Sequence, residues 1–395
     1  RMMLGARILI STETGDAELR EPMKAVLKRA WEVLSPYNAL NAALDDAISR
    51  AIGRTKQIGR IDLVHDLAAD PVYHLVANVY GVPGPNYLTE LAVSLPFGRR
   101  HVSELHPDWL AMLSGKAPQN PRLATLQVWS ILMFSDLIGN FRNQEELKVL
   151  AMEAASQFAL YLEQLLMKER AKPKKKLEDV RTLVEAFCAI EGETFAGVTL
   201  PTANYYRIVR LLLTELVPSA LAVIPATFGS LISAMLGQRV NLSYLIPHLD
   251  KLPSGDGVTR LIYEMNRLSP SLPLLQRYAK EEVVLGEDMI IEKGNWIGAL
   301  VIAANLDKDV FPMPRVFSLG APYGPKRDLD DYIMFGSVGS DRECFGRDRL
   351  AMLALTKLVR AAAKFPGLRR VAGAGGAPVQ IIRTMIGLPA KFARF

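Results

Sequence analysis

The stretch FGSVGSDRECFGRD, residues 335–348, contains Cys344, one of two cysteines in a chain of 395 residues. The cysteine lies among glycines and charged residues, directly before an apolar run with helical spacing. At the first turn of a helix, unpaired amide hydrogens and the positive end of the helix dipole favour the thiolate over the thiol. Gly336, Gly339 and Gly346 let the backbone turn tightly and approach a flat molecule. A thiolate in such a loop is suited to bind a metal on one axial side.

Cys344 also has a second interpretation, because a buried cysteine is more often a small apolar side chain than a ligand. Arg342, two residues earlier, favours the ligand, since its positive charge can pair with an anionic group. The choice between the two interpretations depends on the rest of the C-terminal half.

That half contains Glu264 and Arg267, which lie three residues apart on one face of a predicted helix. By spacing alone, such a pair is an exposed ion pair that contributes little to stability. The strand-like segment EEVVLGEDMIIEKG, residues 281–294, follows, and ANLDKDVFPMPRVF, residues 304–317, comes after it.

In this order, these segments resemble those of the cytochrome P450 family. Glu264 and Arg267 resemble its Glu-x-x-Arg pair, residues 277–294 its R-x-A…V-x-L-x-G-x-x-I-x-x-G segment, and residues 305–317 its meander. Residues 335–346 resemble its haem-binding loop. The resemblance implies the cytochrome P450 fold, which is mainly α-helical with small β-sheets, and a haem b cofactor whose iron is bound by Cys344.

The resemblance also implies roles for other residues. Arg327 would complete a buried network with Glu264 and Arg267 beneath the haem. The residues implied in haem binding, by analogy with the family's propionate arginines and its haem loop, are Arg20, Arg277, Phe335, Arg342 and Gly346. The Arg20 position differs from the family pattern, because Asp16 replaces the usual His or Trp four residues earlier.

The chain departs from the family pattern on both sides of the expected haem. Phe335 precedes Cys344 by nine residues where the family has seven, so the loop must bulge, and Ser340 stands at the usual glycine position. In the central helix, Thr227 resembles the family threonine, but Pro225 and Ala226 occupy the positions where an acid is expected. The side-chain proton relay is therefore incomplete.

A third departure concerns the beginning of the chain, since fewer than twenty residues precede Arg20 where the family has several strands and two helices. We expect residues 1–395 to form a single cytochrome P450-like haem domain with a short or missing N-terminal part. Its beginning at Arg1 suggests the later part of a longer chain.

Three functions agree with the resemblance. The first is a monooxygenase of a hydrophobic organic substrate, with Thr227 organising distal water and electrons from a ferredoxin-type or flavodoxin-type partner, or from a fused upstream domain. Such a partner would dock on the basic face near Arg342 and Arg347. The second is a hydroperoxide isomerase or peroxygenase that acts on oxidised fatty acids without a reductase. Residues 365–378 faintly resemble the P450 halves of dioxygenase-linked enzymes of that kind. The third is a degenerate domain with a structural or interaction role.

Helices must position these residues, because apolar residues recur at intervals of three and four through most of the chain. Strand-like alternation is confined to short patches such as residues 281–294. The predicted helices cover residues 19–34, 40–52, 70–79, 121–141, 145–169 and 205–236. Residues 211–236 are apolar enough to suggest a membrane span, but Glu215, two prolines and the lack of a basic anchor favour a core helix.

Composition excludes some classes of protein. The chain is 50% hydrophobic with a formal charge of +6, and its dense basic run KPKKK is typical of a solvated loop rather than a nucleic-acid groove. Two cysteines in different surroundings favour a reducing cytoplasm over a disulfide framework. Cys188, among apolar helix residues, is expected to be unreactive. The five histidines show no metal-ligand spacing, and none is assigned to a site.

Overall fold

Helices form most of the part of the chain that the computed structural model describes. This part comprises residues 17–34, 36–55, 59–85, 121–134, 136, 145–237, 239–252, 255–279, 281–286, 289–319, 331–333, 347–371, 379–381, 384–387 and 389–391. The α-helices are α1 (Ala17–Leu34), α2 (Pro36–Thr55), α3 (Asp70–Leu75), α4 (Pro121–Phe134), α5 (Glu145–Arg170), α6 (Leu183–Ala189), α7 (Thr202–Pro218), α8 (Ile224–Gly237), α9 (Leu242–Leu249), α10 (Gly257–Leu268), α11 (Val301–Ala304) and α12 (Arg347–Ala363).

Short antiparallel strands make up the rest of the regular structure. They are β1 (Arg60–Asp62), β2 (Thr194–Phe195), β3 (Val198–Thr199), β4 (Leu275–Tyr278), β5 (Val283–Leu285), β6 (Met289–Ile291), β7 (Trp296–Ala299), β8 (Arg369–Arg370), β9 (Val379–Ile381), β10 (Thr384–Gly387) and β11 (Pro389–Lys391). One sheet has the order β1-β11-β8, and the pairs β2–β3, β4–β7, β5–β6 and β9–β10 stand apart from it. The prediction of a mainly α-helical fold with small sheets is confirmed.

Apolar spacing explains why α10 forms and how it packs. The apolar residues Val258, Leu261, Ile262 and Met265 follow the i, i+3, i+4, i+7 pattern, and all four are buried in the hydrophobic core.

Helix α6 begins with a capping box. The Thr182 hydroxyl accepts a hydrogen bond from the Glu185 amide, and the Glu185 carboxylate accepts one from the Thr182 amide.

The long helical run Thr202–Gly237 passes through the core and consists of α7, a π-helical turn at Ser219–Val223, and α8. The run is long and apolar enough to span a membrane by length and composition, and 72% of its most apolar window is buried inside the fold. Such burial is the property of a core helix, as predicted. Pro225 has no amide hydrogen, so it cannot donate to the carbonyl of Leu221 one turn earlier, and the wider turn lies at this gap.

The GVPGP segment, residues 81–85, ends the helical run that contains α3. Gly81 has a φ of +77° and donates its amide to the carbonyl of Val76. The Tyr73 hydroxyl donates to the carbonyl of Pro83 at 3.0 Å, and the Gly84 amide donates to the Tyr161 hydroxyl at 2.8 Å. These bonds fix the segment against α5, so it is a helix stop and turn.

The strand-like segment at residues 281–294 forms strands β5 and β6, with Val283 opposite Ile291 and Leu285 opposite Met289. Val284 and Ile290, which face each other in this register, are each about three-fifths exposed. These two strands therefore expose apolar side chains to solvent.

The helix predicted at residues 121–141 is observed as α4, which ends at Phe134. Its last predicted residues lie mostly outside the described part of the chain.

Replacing Gly81 by alanine tests the turn. A Cβ at Gly81 would lie 2.8 Å from Thr182 Oγ1 and 2.9 Å from Thr182 Cβ. We expect Gly81→Ala to lower the free energy of unfolding by about 2–5 kcal/mol, because left-handed backbone strain and overpacking add. Gly192, at φ +90° with open space around its Cβ position, is the matched control. Gly192→Ala should cost about 1–2 kcal/mol. Equal losses in urea denaturation would show that contact with Thr182 is unimportant.

Candidate functional site

The side chains of Glu264 and Arg267 form a buried ion pair on α10. Both are 0% exposed, with Arg267 Nε 2.9 Å from Glu264 Oε2 and Arg267 Nη2 2.8 Å from Glu264 Oε1. This two-point contact is the strongest geometry between a guanidinium and a carboxylate. The pair is buried, as the resemblance implies, rather than exposed as spacing alone suggests.

The remaining hydrogens of Arg267 are donated to backbone carbonyls of the chain segment after α11. Nη1 donates to Asn305 O at 2.9 Å and to Pro314 O at 2.5 Å, and Nη2 donates to Val316 O at 3.2 Å. The guanidinium also lies over the ring of Phe311, 5.0 Å from its centroid. Arg267 therefore fixes the course of residues 305–316, the segment that resembles the family's meander.

Glu264 is bonded as fully as its partner. The Ser318 amide donates to Oε1 at 2.9 Å, and the Tyr332 hydroxyl donates to Oε2 at 3.0 Å. A buried charge is tolerated only when it is paired and its hydrogen-bonding groups are satisfied, which is the arrangement found here. The sequence did not single out Tyr332, whose ring is also 5.3 Å from that of Phe311. Arg327, the predicted third member of the network, lies outside the described residues.

A second contact holds the chain just after Tyr332. The Asn305 side chain donates from Nδ2 to Ile333 O and accepts from the Ile333 amide at Oδ1, both at 3.1 Å. Asn305 is completely buried. Because Ile333 lies on the way from the meander to Cys344, this clamp fixes where the segment that carries the cysteine begins.

The predicted haem-binding residues are described only in part. Phe335, Arg342, Cys344 and Gly346 lie outside the described residues. Helix α12 begins at Arg347, three residues after Cys344, so the cysteine directly precedes a helix of 17 residues. For Arg20 on α1 and Arg277 on β4, the structure describes the backbone alone, and it places them on separate elements.

Thr227, on α8, is completely buried, and its Oγ1 lies 2.9 Å from Ser271 Oγ. Ser271 is half-buried and follows α10 in the chain. Helix α8 contains no aspartate or glutamate, so no carboxylate of its own can share a proton with Thr227. The nearest acid earlier in this helical run is Glu215, which is buried on α7.

Other titratable groups do not form a second reactive site in the described part of the chain. Burial raises the pKa of the Cys188 thiol to about 11, so it is protonated at neutral pH, as expected of an unreactive side chain. Among the described residues, no three His, Cys, Asp or Glu side chains are grouped so that they could hold a metal ion.

Known proteins match this architecture. The cytochrome P450 family model matches residues 247–361. The cytochrome P450 PksS of the Bacillus subtilis 168 bacillaene polyketide synthase has a TM-score of 0.64 and 16% identity, with 100% of this chain and 83% of that chain covered. P450BioI in complex with an acyl carrier protein ligated by hexadec-9Z-enoic acid has a TM-score of 0.62 and 16% identity, covering 97% and 85%. The chain thus has the cytochrome P450 fold, and its residues 247–361 match the cytochrome P450 family model.

One curated relative is a larger protein with two activities. It is the bifunctional dioxygenase-epoxy alcohol synthase of Fusarium oxysporum strain Fo5176, 38% identical over 91 residues. The match covers 23% of this chain and 6% of that protein. Family and fold together support a haem-thiolate oxidoreductase in general terms.

The described residues are compatible with the haem that the family implies. The expected donor, Cys344, lies outside them, three positions before the first residue of α12 in the sequence. The buried network of Glu264 and Arg267 and the Asn305–Ile333 clamp fix the chain that leads to this thiol. Such fixed surroundings would suit the support of a metal ligand.

Removing the charge of Glu264 tests the network. In Glu264→Gln the guanidinium of Arg267 stays buried without a counter-charge, so we expect a loss of about 3–5 kcal/mol in the free energy of unfolding. The control is Glu21→Gln, which removes the acid of the exposed Lys24–Glu21 pair on α1 and should cost less than about 1 kcal/mol. Urea denaturation measures both values. Similar small losses in both variants would contradict the importance of the buried pair.

Proposed function

We propose that the protein is a haem-thiolate monooxygenase that inserts oxygen into a hydrophobic organic substrate. The observation that carries this proposal is the buried Glu264–Arg267 network, which fixes the backbone on the way to Cys344. In this network, two buried charges and several hydrogen bonds hold one segment of backbone. Support of this strength is expected where a single ligand bond must be held in place.

On the proximal side, Cys344 is the proposed iron ligand. The N-terminus of α12 stabilises the thiolate, because its unpaired amide hydrogens carry partial positive charge. When bound, a thiolate-ligated haem supplies an electron-rich iron that favours cleavage of the O–O bond. Phe335 and Gly346 form the proposed loop around the ligand.

Arginines are the proposed partners of the haem carboxylates. Arg20, Arg277 and Arg342 present planar groups whose parallel N–H bonds match a carboxylate. They come from α1, from β4 and from the Cys344 loop, so cofactor binding would join distant parts of the chain.

On the distal side, Thr227 is the proposed side chain that organises water and holds a proton at its Oγ1. Thr227 is completely buried on an apolar helix, so its hydroxyl is shielded from bulk solvent. Helix α8 contains no acid, so in this proposal protons reach the hydroxyl by another route than a carboxylate of its own helix.

Electrons and substrate come from outside the chain in this proposal. A ferredoxin-type or flavodoxin-type protein, or a fused upstream domain, is the proposed electron donor, docking near Arg342 and Arg347. The fatty-acyl ligand in the P450BioI complex supports a lipid-like substrate class. A reducing cytoplasm is the proposed compartment, since the two cysteines have dissimilar surroundings.

A second candidate function is a hydroperoxide isomerase or peroxygenase acting on fatty-acid hydroperoxides. The similarity to part of the dioxygenase-epoxy alcohol synthase supports it, as does the missing acid before Thr227. The oxygen atoms of a hydroperoxide are already at the peroxide oxidation level. This reaction therefore needs neither a reductase nor a proton supply assisted by an acid.

Haem binding tests the shared part of both functions. The reduced, carbon-monoxide-bound protein should show the long-wavelength Soret band of thiolate-ligated haem, and Cys344→Ser should lose it because the thiolate is gone. Cys188→Ser is the matched control and should keep the band, since the Cys188 thiol is protonated. An unchanged band in Cys344→Ser would show that Cys344 is not the ligand. A wild-type protein without the band would overturn both functions and leave a structural role.

Product formation separates the two functions. Under the first proposal, product from a fatty acid requires oxygen together with a reductant and an electron-transfer partner. Under the second, product forms from the fatty-acid hydroperoxide alone, in anaerobic buffer without reductant. Mass spectrometry of products from both reactions decides between them, with heat-inactivated protein as the control. Turnover of the hydroperoxide alone, with none from oxygen and reductant, would refute the monooxygenase.

A further inference from the structure

The hydroxyl groups of Thr227 and Ser271 form a bonded pair between two elements that are distant in sequence. Their oxygens lie 2.9 Å apart across a separation of 44 residues. Thr227 lies on α8, and Ser271 lies just after the helix that carries Glu264 and Arg267. The buried network therefore also fixes the position from which Ser271 reaches α8.

The surroundings of Thr227 on its own helix are apolar. Ile224, Phe228 and Leu231 are all buried in the hydrophobic core. Two hydroxyls carry two hydrogens, and the bond between them uses one, so one hydrogen remains for a third partner. The pair can therefore hold one hydrogen ready for donation in a dry environment, which a single hydroxyl without a fixed orientation does less well.

The two residues differ in their exposure to solvent. Thr227 is 0% exposed, whereas Ser271 is half-buried. Ser271 is thus the member through which a proton can enter from outside. At the same time Pro225 and Ala226 leave Thr227 without an acid on its own helix.

We propose that Ser271 is a positioning residue that orients the Thr227 hydroxyl and links it to solvent, in place of the acid that α8 lacks. The inference rests on the proposed function, in which Thr227 supplies a proton on the distal side. When Thr227 donates its hydrogen, it accepts another from Ser271, and Ser271 accepts one from water. Each hydroxyl gives up one proton and gains one, so neither becomes charged.

Variants at position 271 test this inference in the haem-loaded protein. Ser271→Ala removes the partner hydroxyl, and Ser271→Thr keeps a hydroxyl and should rescue. Ser269→Ala is the matched control, because Ser269 is a half-buried serine two residues earlier in the same segment. The first readout is the infrared C–O stretching band of the reduced carbon-monoxide complex, which responds to distal hydrogen-bond donors. The second is product formed per electron consumed with oxygen.

We expect the band of Ser271→Ala to shift to the position found in Thr227→Ala, and the double variant to shift no further. Product per electron should fall about threefold to tenfold in Ser271→Ala, the effect of losing one hydrogen bond. Ser271→Thr and Ser269→Ala should match the wild type in both readouts.

Three outcomes would overturn the inference. If Ser271→Ala keeps the wild-type band and yield while Thr227→Ala changes them, Ser271 does not act through Thr227. If Ser269→Ala shifts the band equally, the effect is one of general packing. If the wild type lacks the thiolate-ligated haem band, the inference fails together with the function on which it rests, whereas the first two outcomes leave that function intact.

Discussion

The buried charge of Arg267 is the constraint on which the rest of the C-terminal half depends. A guanidinium cannot lose its proton in a protein, so its burial requires an anion and a full set of acceptors. Glu264 supplies the anion, and the carbonyls of Asn305, Pro314 and Val316 supply the acceptors. A small shift of any of these backbone segments would leave a buried N–H group of Arg267 without an acceptor. The interaction therefore fixes the path of residues 305–316, which precede the cysteine loop in the sequence.

The contact between Thr227 and Ser271 follows a different principle, since both groups are neutral. Helix α8 has Pro225 and Ala226 where an acid is expected, and the Ser271 hydroxyl reaches Thr227 from another element. A carboxylate in this dry position would carry a large desolvation cost, whereas a hydroxyl pair carries none of that cost. The two candidate reactions differ in whether they need this pair for protons. The chemistry of one hydrogen bond thus separates the two functions.

Local patterns predicted the elements well, because helix and hairpin signals lie within a few neighbouring residues. The apolar spacing of α10 and the alternation of residues 281–294 are examples, and both elements form as predicted. Spacing alone described Glu264 and Arg267 as an exposed pair, and the family resemblance was needed to predict their burial. Tyr332 and Ser271 were missed because their partners are 68 and 44 residues away and no local signal links them. The π-helical turn at Ser219–Val223 was missed as well; only the flanking Pro218 and Pro225 were a hint.

The large sequence separation between Glu264 and Tyr332 also affects the order in which contacts form during synthesis. The Tyr332 hydroxyl is 68 residues from the carboxylate it bonds, an interval of roughly 3–14 s at ribosomal rates of about 5–20 residues per second. Until that segment has left the ribosome, Glu264 on α10 has only part of its final set of hydrogen-bond donors. The hydrogen bonds of Glu264 are thus completed late in biosynthesis.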